Sequence, residues 1–229
     1  MYKKFFKRFI DFFLALIAII VLLPVLLVLV IVGSIAMRGN PFFTQQRPGK
    51  NEKIFRLIKF RSMNNKKDKD GNLLPDEDRL TSYGKFLRST SLDELPELFN
   101  ILKGDMAIVG PRPQLVRDMV FMTTEQRKRH TVRPGLSGFA QINGRNTISW
   151  EMKIAYDLKY IENITLKGDM QIIFATFLKV IRRDGVVEEG SETATDLGDY
   201  LLNKGHISKI EYDNGQELAR VIMNQSRFE

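Results

Sequence analysis

The sequence predicts an α/β fold, mixed and mainly helical: a small cytoplasmic domain that follows an N-terminal re-entrant membrane helix and carries interfacial amphipathic helices. Three observations lead to this prediction. A long apolar run fills the N-terminus, a polar globular composition begins after Met37, and helical periodicity dominates the polar part. We expect three parts: a membrane element over 1–37, a main domain over 38–195, and a tail over 196–229.

The N-terminal run has no charged side chain from Phe12 to Met37. As a straight helix it would extend about 39 Å at ~1.5 Å per residue, enough for a hydrocarbon core of about 30 Å. It is too long for the apolar part of a signal peptide, and no A-x-A cleavage pattern follows it. We therefore expect this run to remain in the mature protein.

Two features favour a hairpin over a simple span. Pro24 lies in the middle of the run, where its ring and missing N–H should bend a helix. Both flanks are basic, whereas Lys and Arg concentrate on one side of a membrane. A helix broken at Pro24 that returns to the same face satisfies both flanks, and a kinked spanning helix is the alternative. The flanking cations are Lys3, Lys4, Lys7 and Arg8 before the run, and Arg38, Arg47, Lys50, Lys53, Arg56, Lys59 and Arg61 after it.

The composition limits both the partners and the chemistry. The formal net charge is +8, from 35 basic and 27 acidic residues, which favours nucleic acid, acidic lipid or phosphorylated substrates. There is no cysteine, so disulfides, thiolate catalysis and Cys-ligated zinc are excluded. The only histidines are His130 and His206, which excludes a His-rich metal site. Chemistry must therefore rest on carboxylates, Arg, Lys and hydroxyls.

The polar part reads as short extended segments up to residue 63, a charged loop over 64–79, and then mainly helices. We predict helices at 82–89, 93–103 and 114–130, an irregular stretch at 131–149, and helical pattern over 150–183 with a break at Gly168. The segment 169–183 is either a core helix or a helix in the membrane interface. The tail shows a short amphipathic pattern at 217–223.

The most informative stretch runs from residue 88 to 113. Ser91 and Glu94 have the spacing of a capping box, and Pro96 is tolerated only in a first helical turn. Asp93 and Glu94 would thus lie at a helix N-terminus, where backbone N–H groups stabilise anions. Such acids are often ordinary caps. They also suit catalysis: Asp93 could attack phosphorus and Glu94 could hold a divalent cation.

Arginines in Gly- and Pro-rich segments strengthen the catalytic interpretation. Arg112 lies between two prolines, and the stretch 133–146 places three polar residues among three glycines. Glycine lets the backbone approach phosphate closely, and guanidinium forks match phosphate oxygens. The sequence therefore indicates a diphosphate-binding region. The candidate residues are Arg88, Arg112, Arg133, Gln141 and Arg145.

Three blocks carry a resemblance to a known family. They are KFRSM at 59–63, SLDELPELFNILKGDMAIVGPRP at 91–113 and RPGLSGFAQINGRN at 133–146. Together they resemble the bacterial sugar transferases, the monotopic phosphoglycosyl transferases that begin glycoconjugate assembly. In size and layout the chain is similar to the small single-domain members of bacterial N-linked protein glycosylation, the PglC type.

The resemblance implies a mechanism and a set of residues. Asp93 would attack the β-phosphate of a UDP-sugar, UMP would leave, and undecaprenyl phosphate would take up the phospho-sugar. Glu94 would help Asp93 to hold Mg²⁺, and Asp157 is a weaker candidate for the site. The family also implies a membrane hairpin on the cytoplasmic face of the bacterial inner membrane. Leu23 departs from relatives, which often have Ser there. The positions implied around the substrate phosphates are Lys59, Arg88, Arg112, Gln141 and Arg145.

The donor sugar and the competing functions stay open at this point. The segment 185–195 resembles members that use UDP-N,N′-diacetylbacillosamine, and another UDP-N-acetyl amino sugar or a UDP-hexose is the alternative. A non-enzymatic protein that binds anionic lipid through its charge is the competing function. A nucleic-acid partner is not expected, since no nucleic-acid motif accompanies the charge. Inner-membrane lipids and downstream glycosyltransferases are the further expected contacts.

Overall fold

The computed structural model describes residues 1–144, 148–182 and 195–226. Its strands form two pairs. β1 (Phe42–Pro48) and β2 (Ile54–Phe60) make an antiparallel hairpin, and β3 (Ala107–Val109) pairs in parallel with β4 (Gly135–Ser137). The helices are α1 Lys7–Ala36, α2 Asp76–Arg79, α3 Ser82–Thr90, α4 Glu97–Lys103, α5 Val116–Met119, α6 Thr124–Arg127, α7 Phe139–Ile142, α8 Trp150–Glu162, α9 Leu166–Arg182, α10 Leu197–Asn203 and α11 Lys209–Gln225. Single helical turns occur at Tyr2–Phe6, Lys50–Glu52, Leu92–Glu94 and Lys128–Thr131.

The mixed, mainly helical fold class is confirmed, and several predicted boundaries are corrected. The helix at 82–89 is α3, whereas the predicted helix over 114–130 divides into α5 and α6. It restarts because the Thr123 hydroxyl accepts a hydrogen bond from the Gln126 amide and so caps a new helix. The predicted break at Gly168 falls instead at 163–165, and Gly168 lies in the first turn of α9.

The N-terminal helix α1 continues through Pro24 as one helix of 30 residues, so the predicted break at Pro24 does not occur. Pro24 has no amide hydrogen to donate one turn back, yet the residues on both sides remain helical. Within the described ranges, α1 is the one helix that length and composition would allow to cross a membrane. Most of its large apolar side chains are exposed, which indicates that the protein associates with a membrane.

Both halves of α1 pack against the polar domain. Near its start, Arg8 donates to carbonyl oxygens at the end of α4, at 2.7 Å from that of Leu102. Near its end, Leu29 packs against the fully buried Leu87 of α3. The Tyr83 hydroxyl also donates to the Leu29 carbonyl oxygen at 2.8 Å. The domain therefore accompanies α1 along most of its length.

A buried carboxylate fixes the start of α1 to the helices of the domain. Asp169, in α9, accepts hydrogen bonds from the Tyr2 hydroxyl at 2.6 Å and the Lys7 ammonium at 2.7 Å. Its second oxygen accepts from the Tyr160 hydroxyl of α8 at 2.8 Å. A buried charge needs such partners, so these bonds fix the position of the start of α1 against α8 and α9.

Asn100 joins α4 to β2 and thereby places the chemistry-bearing residues of the two elements together. Its side-chain nitrogen donates to the Arg56 carbonyl at 2.8 Å, and its side-chain oxygen accepts from the Ile58 amide at 3.0 Å. Asn100 is buried, and these bonds satisfy its polar atoms. Lys59 of β2 consequently faces Glu97 of α4.

Helix α9 has one buried face and one exposed apolar face. Asp169 and Ile172 are buried, whereas Met170, Phe174 and Phe177 are 49%, 64% and 60% exposed. These exposed side chains recur at helical spacing on one side. Of the two interpretations left open for this segment, the structure favours a helix whose outer face is available to a membrane; residue 183 lies outside the described ranges.

The tail forms two helices that pack on the domain. The short pattern predicted at 217–223 is part of the longer α11, and α10 precedes it. Ala219 is fully buried against Val116 and Met119 of α5. The division of the chain at residues 37 and 195 into separate parts stays a prediction.

Replacing Leu87 by Ala should lower the free energy of unfolding by about 2–5 kcal/mol, because it leaves a cavity between α1 and α3. The matched control is Phe86→Ala, which removes a larger but half-exposed neighbour and should change stability by only about 0.5 kcal/mol. Urea unfolding in detergent, followed by the fluorescence of the single tryptophan, measures both. Equal losses would contradict the packing of α1 on α3.

Candidate active site

Lys59, near the end of β2, is the centre of a cluster of charged side chains. Its ammonium nitrogen is 2.8 Å from Glu94 Oε1 and 3.1 Å from Glu97 Oε1. Asp93 Oδ2 is 4.0 Å from the same nitrogen. One cation thus brings together three carboxyl groups, two from the single turn Leu92–Glu94 and one from the first residue of α4.

The capping box predicted at Ser91 and Glu94 is wrong. Ser91 has a left-handed backbone conformation, with φ 56°, that ends α3, and its side chain caps no helix. The next regular helix, α4, begins only at Glu97, so Asp93 lies in the single turn between two helices. Glu94 cannot serve as the partner in a cap because its carboxylate is bound to cations instead.

Arg112 reaches the cluster from the turn at 110–113. Its Nη2 atom is 2.9 Å from Glu94 Oε1, the oxygen that also contacts Lys59. The Arg112 side chain is 44% exposed, so its guanidinium is also open to solvent. Glu94 therefore orients a cation that can still meet a ligand.

The surrounding charges separate the ionisation of the three carboxyl groups. Burial alone would raise the pKa of Glu94, but Arg112 and Lys59 outweigh it and hold that pKa well below its usual range. Burial raises the pKa of Asp93, with Lys59 opposing. Burial also raises the pKa of Glu97 to about 7, although Lys59 lowers it in part. Glu94 is thus the fixed anion, whereas the charge of Asp93 is poorly stabilised, as suits a nucleophile.

Two arginines that the sequence analysis did not assign to the site hold the Arg112 turn by its backbone. Arg129 donates to the Arg112 carbonyl oxygen at 2.7 Å, and Arg47 donates to the Pro113 carbonyl oxygen at 3.1 Å. Arg129 is buried and forms an ion pair with Asp157, with Nε 3.0 Å from Oδ2. Asp157 therefore lies behind the turn and acts on it through Arg129.

Arg88 is held near Asp93 by a close approach between two segments. A Cβ on Gly84 would lie 1.9 Å from the Ser62 carbonyl oxygen, so only glycine permits α3 to approach so closely. This contact brings Arg88 Nε to 3.1 Å from Ser62 Oγ. The Arg88 charge also lowers the pKa of Asp93, against the larger effect of burial. The structure thus places Arg88 near Asp93, and its contact with substrate phosphates stays a prediction.

The remaining predicted residues are placed differently. Gln141, in α7, is buried and donates to the Leu136 carbonyl at 3.3 Å. Its side-chain oxygen lies beside Gly138, which also touches the backbone of Gly110, so Gln141 adjoins the base of the Arg112 turn rather than Asp93. Arg145 lies outside the described residues. Arg133 donates to the Gly104 carbonyl at 2.7 Å and so supports the backbone.

Two neighbouring carboxylates of the cluster could contribute to a site for a divalent cation. In the described part of the chain, no group of three or more His, Cys, Asp or Glu residues could hold a metal ion. Asp93 and Glu94 offer two carboxylates, and Mg²⁺ commonly combines one or two carboxylates with substrate phosphates. Phosphate oxygens would have to supply the other ligands.

A family comparison covers the part of the chain that contains this site. The sequence model of the family described as bacterial sugar transferase matches residues 2–183. The chain belongs to the bacterial sugar transferase family. The matched range contains every candidate site residue and ends before α10 and α11.

Individual relatives of this sugar transferase include two proteins that are named as phosphotransferases acting with undecaprenyl phosphate. It is 48% identical over 157 residues to the uncharacterized sugar transferase EpsL of Bacillus subtilis (strain 168), covering 68% of this chain and 78% of that protein. It is 38% identical over 165 residues to the undecaprenyl-phosphate galactose phosphotransferase of Salmonella typhimurium (strain LT2), covering 64% and 34%. It is 37% identical over 188 residues to the UDP-N-acetylgalactosamine-undecaprenyl-phosphate N-acetylgalactosaminephosphotransferase of Aeromonas hydrophila, covering 77% and 44%. The chain thus spans less than half of the last two relatives.

Replacing Arg129 by Met should lower the free energy of unfolding by about 3–5 kcal/mol, because Asp157 would remain buried without its partner. Adding Asp157→Leu should recover most of that stability, since no charge is then left in the interior. Lys128→Met is the control at an exposed neighbour and should have little effect. Urea unfolding followed by Trp150 fluorescence compares the variants, and an unrecovered double variant would contradict the pairing.

Proposed function

We propose that this sugar transferase moves a phospho-sugar from a UDP-sugar to undecaprenyl phosphate and releases UMP. The observation that best supports this function is the placement of Asp93, 4.0 Å from the Lys59 ammonium, beside Glu94, whose Oε1 atom contacts both Lys59 and Arg112. Several relatives are named as transferases of a sugar phosphate to undecaprenyl phosphate. The proposed chemistry uses only the carboxylates and cations that the composition leaves available.

The proposed reaction has two displacements at one phosphorus atom. In the first, a carboxylate oxygen of Asp93 bonds to the β-phosphorus of the UDP-sugar, and the bond to the bridging oxygen breaks. UMP leaves with that oxygen. In the second, a phosphate oxygen of undecaprenyl phosphate bonds to the same phosphorus, and the bond to Asp93 breaks. The product is a polyprenyl diphosphate sugar, and Asp93 is regenerated.

The cations have distinct proposed roles. The Arg112 side chain is partly exposed while its backbone is held by Arg129, so the guanidinium can contact the phosphate oxygens that gain charge. Arg88 lies close enough to Asp93 to affect its charge and can contact the same group. Lys59 remains with Glu94 and Glu97 and keeps the carboxylates from repelling one another. Gln141 and Arg145 remain candidates for substrate binding.

Mg²⁺ is part of the proposal. Asp93 and Glu94 would hold it together with phosphate oxygens of the donor, and the ion would neutralise the charge of the diphosphate.

The donor sugar is proposed at the level of its class. A UDP-N-acetyl amino sugar, with UDP-N,N′-diacetylbacillosamine as one member, is the proposed donor. Relatives are named for galactose, N-acetylgalactosamine and glucose, so a UDP-hexose is the alternative. The segment 185–195, which carries the bacillosamine resemblance, lies outside the described residues except for Thr195.

The proposed membrane arrangement is a re-entrant α1, bent at Pro24 without unwinding, with both flanks on the cytoplasmic face of the inner membrane. Contacts at Arg8 and at Leu29 support it. These residues would be about 31 Å apart along a straight helix, close to the thickness of a hydrocarbon core. If α1 spanned the bilayer, the polar domain beside it would have to lie within the hydrocarbon, at a large cost in desolvation.

This arrangement suits a reaction between a soluble and a lipid substrate. The exposed apolar faces of α1 and α9 would lie in the membrane, while Arg112 and Asp93 would lie at the level of lipid phosphates. The donor could then enter from water and undecaprenyl phosphate from the bilayer. A protein that only binds anionic lipid would need the apolar and basic surfaces but no organised carboxylate cluster.

Replacing Asp93 by Asn should abolish UMP release, because a neutral amide cannot form the phospho-sugar intermediate. The assay uses purified protein, undecaprenyl phosphate, Mg²⁺ and a panel of UDP-sugars. Asp78→Asn, at an exposed position of the short helix α2, is the control and should retain activity. Intact mass measured with donor alone should show a phospho-sugar adduct in the control but not in Asp93→Asn. Full UMP release by Asp93→Asn would exclude this mechanism, and binding of anionic vesicles without release by any protein would favour the lipid-binding alternative.

Cysteine labelling tests the proposed topology, because the chain has no cysteine of its own. Lys3→Cys reports the N-terminal flank and Lys50→Cys the domain; both positions are exposed. A membrane-impermeant reagent should label neither variant in intact cells and both in inverted vesicles. Labelling of Lys3→Cys alone from the periplasm would establish a spanning helix and overturn the re-entrant arrangement.

A further inference from the structure

The two C-terminal helices lie beyond the part of the chain that the family model matches, and they dock beside the Arg112 turn. Ala219 of α11 is fully buried against α5, which begins four residues after Arg112. Phe121 packs between the two helices: a Cβ on Gly198 would lie 2.5 Å from its ring, and one on Gly215 would lie 2.4 Å from it. The contact therefore depends on glycine at both positions.

A single buried carboxylate links the tail to the segment after the Arg112 turn. Asp118 Oδ2 accepts a hydrogen bond from the Leu115 amide at 2.9 Å, at the start of α5. Asp118 Oδ1 accepts one from the Leu197 amide at 2.9 Å, at the start of α10. Both helices thus begin on the same side chain, so a displacement of one affects the other.

The far end of the tail reaches the other support of the turn. Gln46 Nε2, in β1, donates to the Met223 carbonyl at 2.8 Å and to Ser226 Oγ at 2.7 Å. The next residue, Arg47, donates to the Pro113 carbonyl of the turn. The tail consequently contacts both α5, which follows the Arg112 turn in the chain, and β1, whose Arg47 binds the backbone of that turn.

We propose that the C-terminal segment 195–226 is a positioning element for Arg112: by binding α5 and β1 it keeps the turn at 110–113 in place and the guanidinium on Glu94. This inference rests on the proposed function for its kinetic consequences but not for its structural ones. The segment touches neither Asp93 nor Glu94 through any contact that the structure describes, so its effect on the reaction would pass through the turn.

The structural test is hydrogen exchange of the full-length protein in detergent. Gly215→Val should push α11 away from Phe121 and speed exchange of the α5 amides at least about tenfold. In the wild-type protein α5 can unfold locally only if the tail detaches from it, and in the variant the tail is already displaced. Asn214→Val places the same side chain on the exposed side of α11 and should leave α5 unchanged. Phe121→Ala added to Gly215→Val should restore protection, since it removes the ring that clashes. If Gly215→Val does not fold, Gly215→Ala meets the same ring and is used in its place.

The kinetic test separates positioning from general destabilisation. Gly215→Val should lower kcat/KM for UMP release at least about tenfold, and combining it with Arg112→Ala should cost little more than Arg112→Ala alone. Additive losses, or unchanged α5 exchange when the tail itself is loosened, would overturn the inference. Absence of UMP release by the wild-type protein would overturn the proposed function, and the exchange experiment would still decide whether the tail holds the turn.

Discussion

The site depends on one shared contact, in which a single oxygen of Glu94 binds both Lys59 and Arg112. Lys59 comes from β2, Glu94 from the turn between α3 and α4, and Arg112 from the turn after β3. The contact joins three segments that no continuous helix or strand connects. It also fixes which carboxylate is neutralised, and so leaves Asp93 and Glu97 as the carboxyl groups whose charge burial disfavours.

The interior behind this contact contains several buried polar and charged side chains. Asn100, Asp118, Arg129, Asp157 and Asp169 are all buried, and each has named partners across different elements. Apolar packing tolerates small shifts, whereas a buried charge leaves its position only at a large cost. The same groups that orient turns and helix ends therefore make the backbone around Arg112 and at the start of α1 more specific than apolar packing would.

Polar contacts of the same kind also hold α1 against the polar part of the chain. α1 is apolar on its outer side, yet its inner side is bound through Arg8, Lys7 and the Leu29 carbonyl to polar groups of the domain. Helix α1 and the polar part of the chain thus pack together. In the proposed function this packing sets the depth of Asp93 relative to lipid phosphates, which a flexible tether could not do.

The sequence by itself determined the apolar helix, the mixed and mainly helical class and the family, and it singled out Asp93, Glu94, Lys59, Arg88 and Arg112 as candidate site residues. These follow from composition, periodicity and local blocks, which act over a few residues. Only the tertiary structure placed Glu97, Arg47 and Arg129 in the network, moved Asp157 behind the turn, replaced the Ser91 cap by ion pairs and docked the tail on α5. Their partners are distant in sequence or depend on backbone conformation, and burial, which decides whether a charge is solvated or must be paired, exists only once the chain has folded.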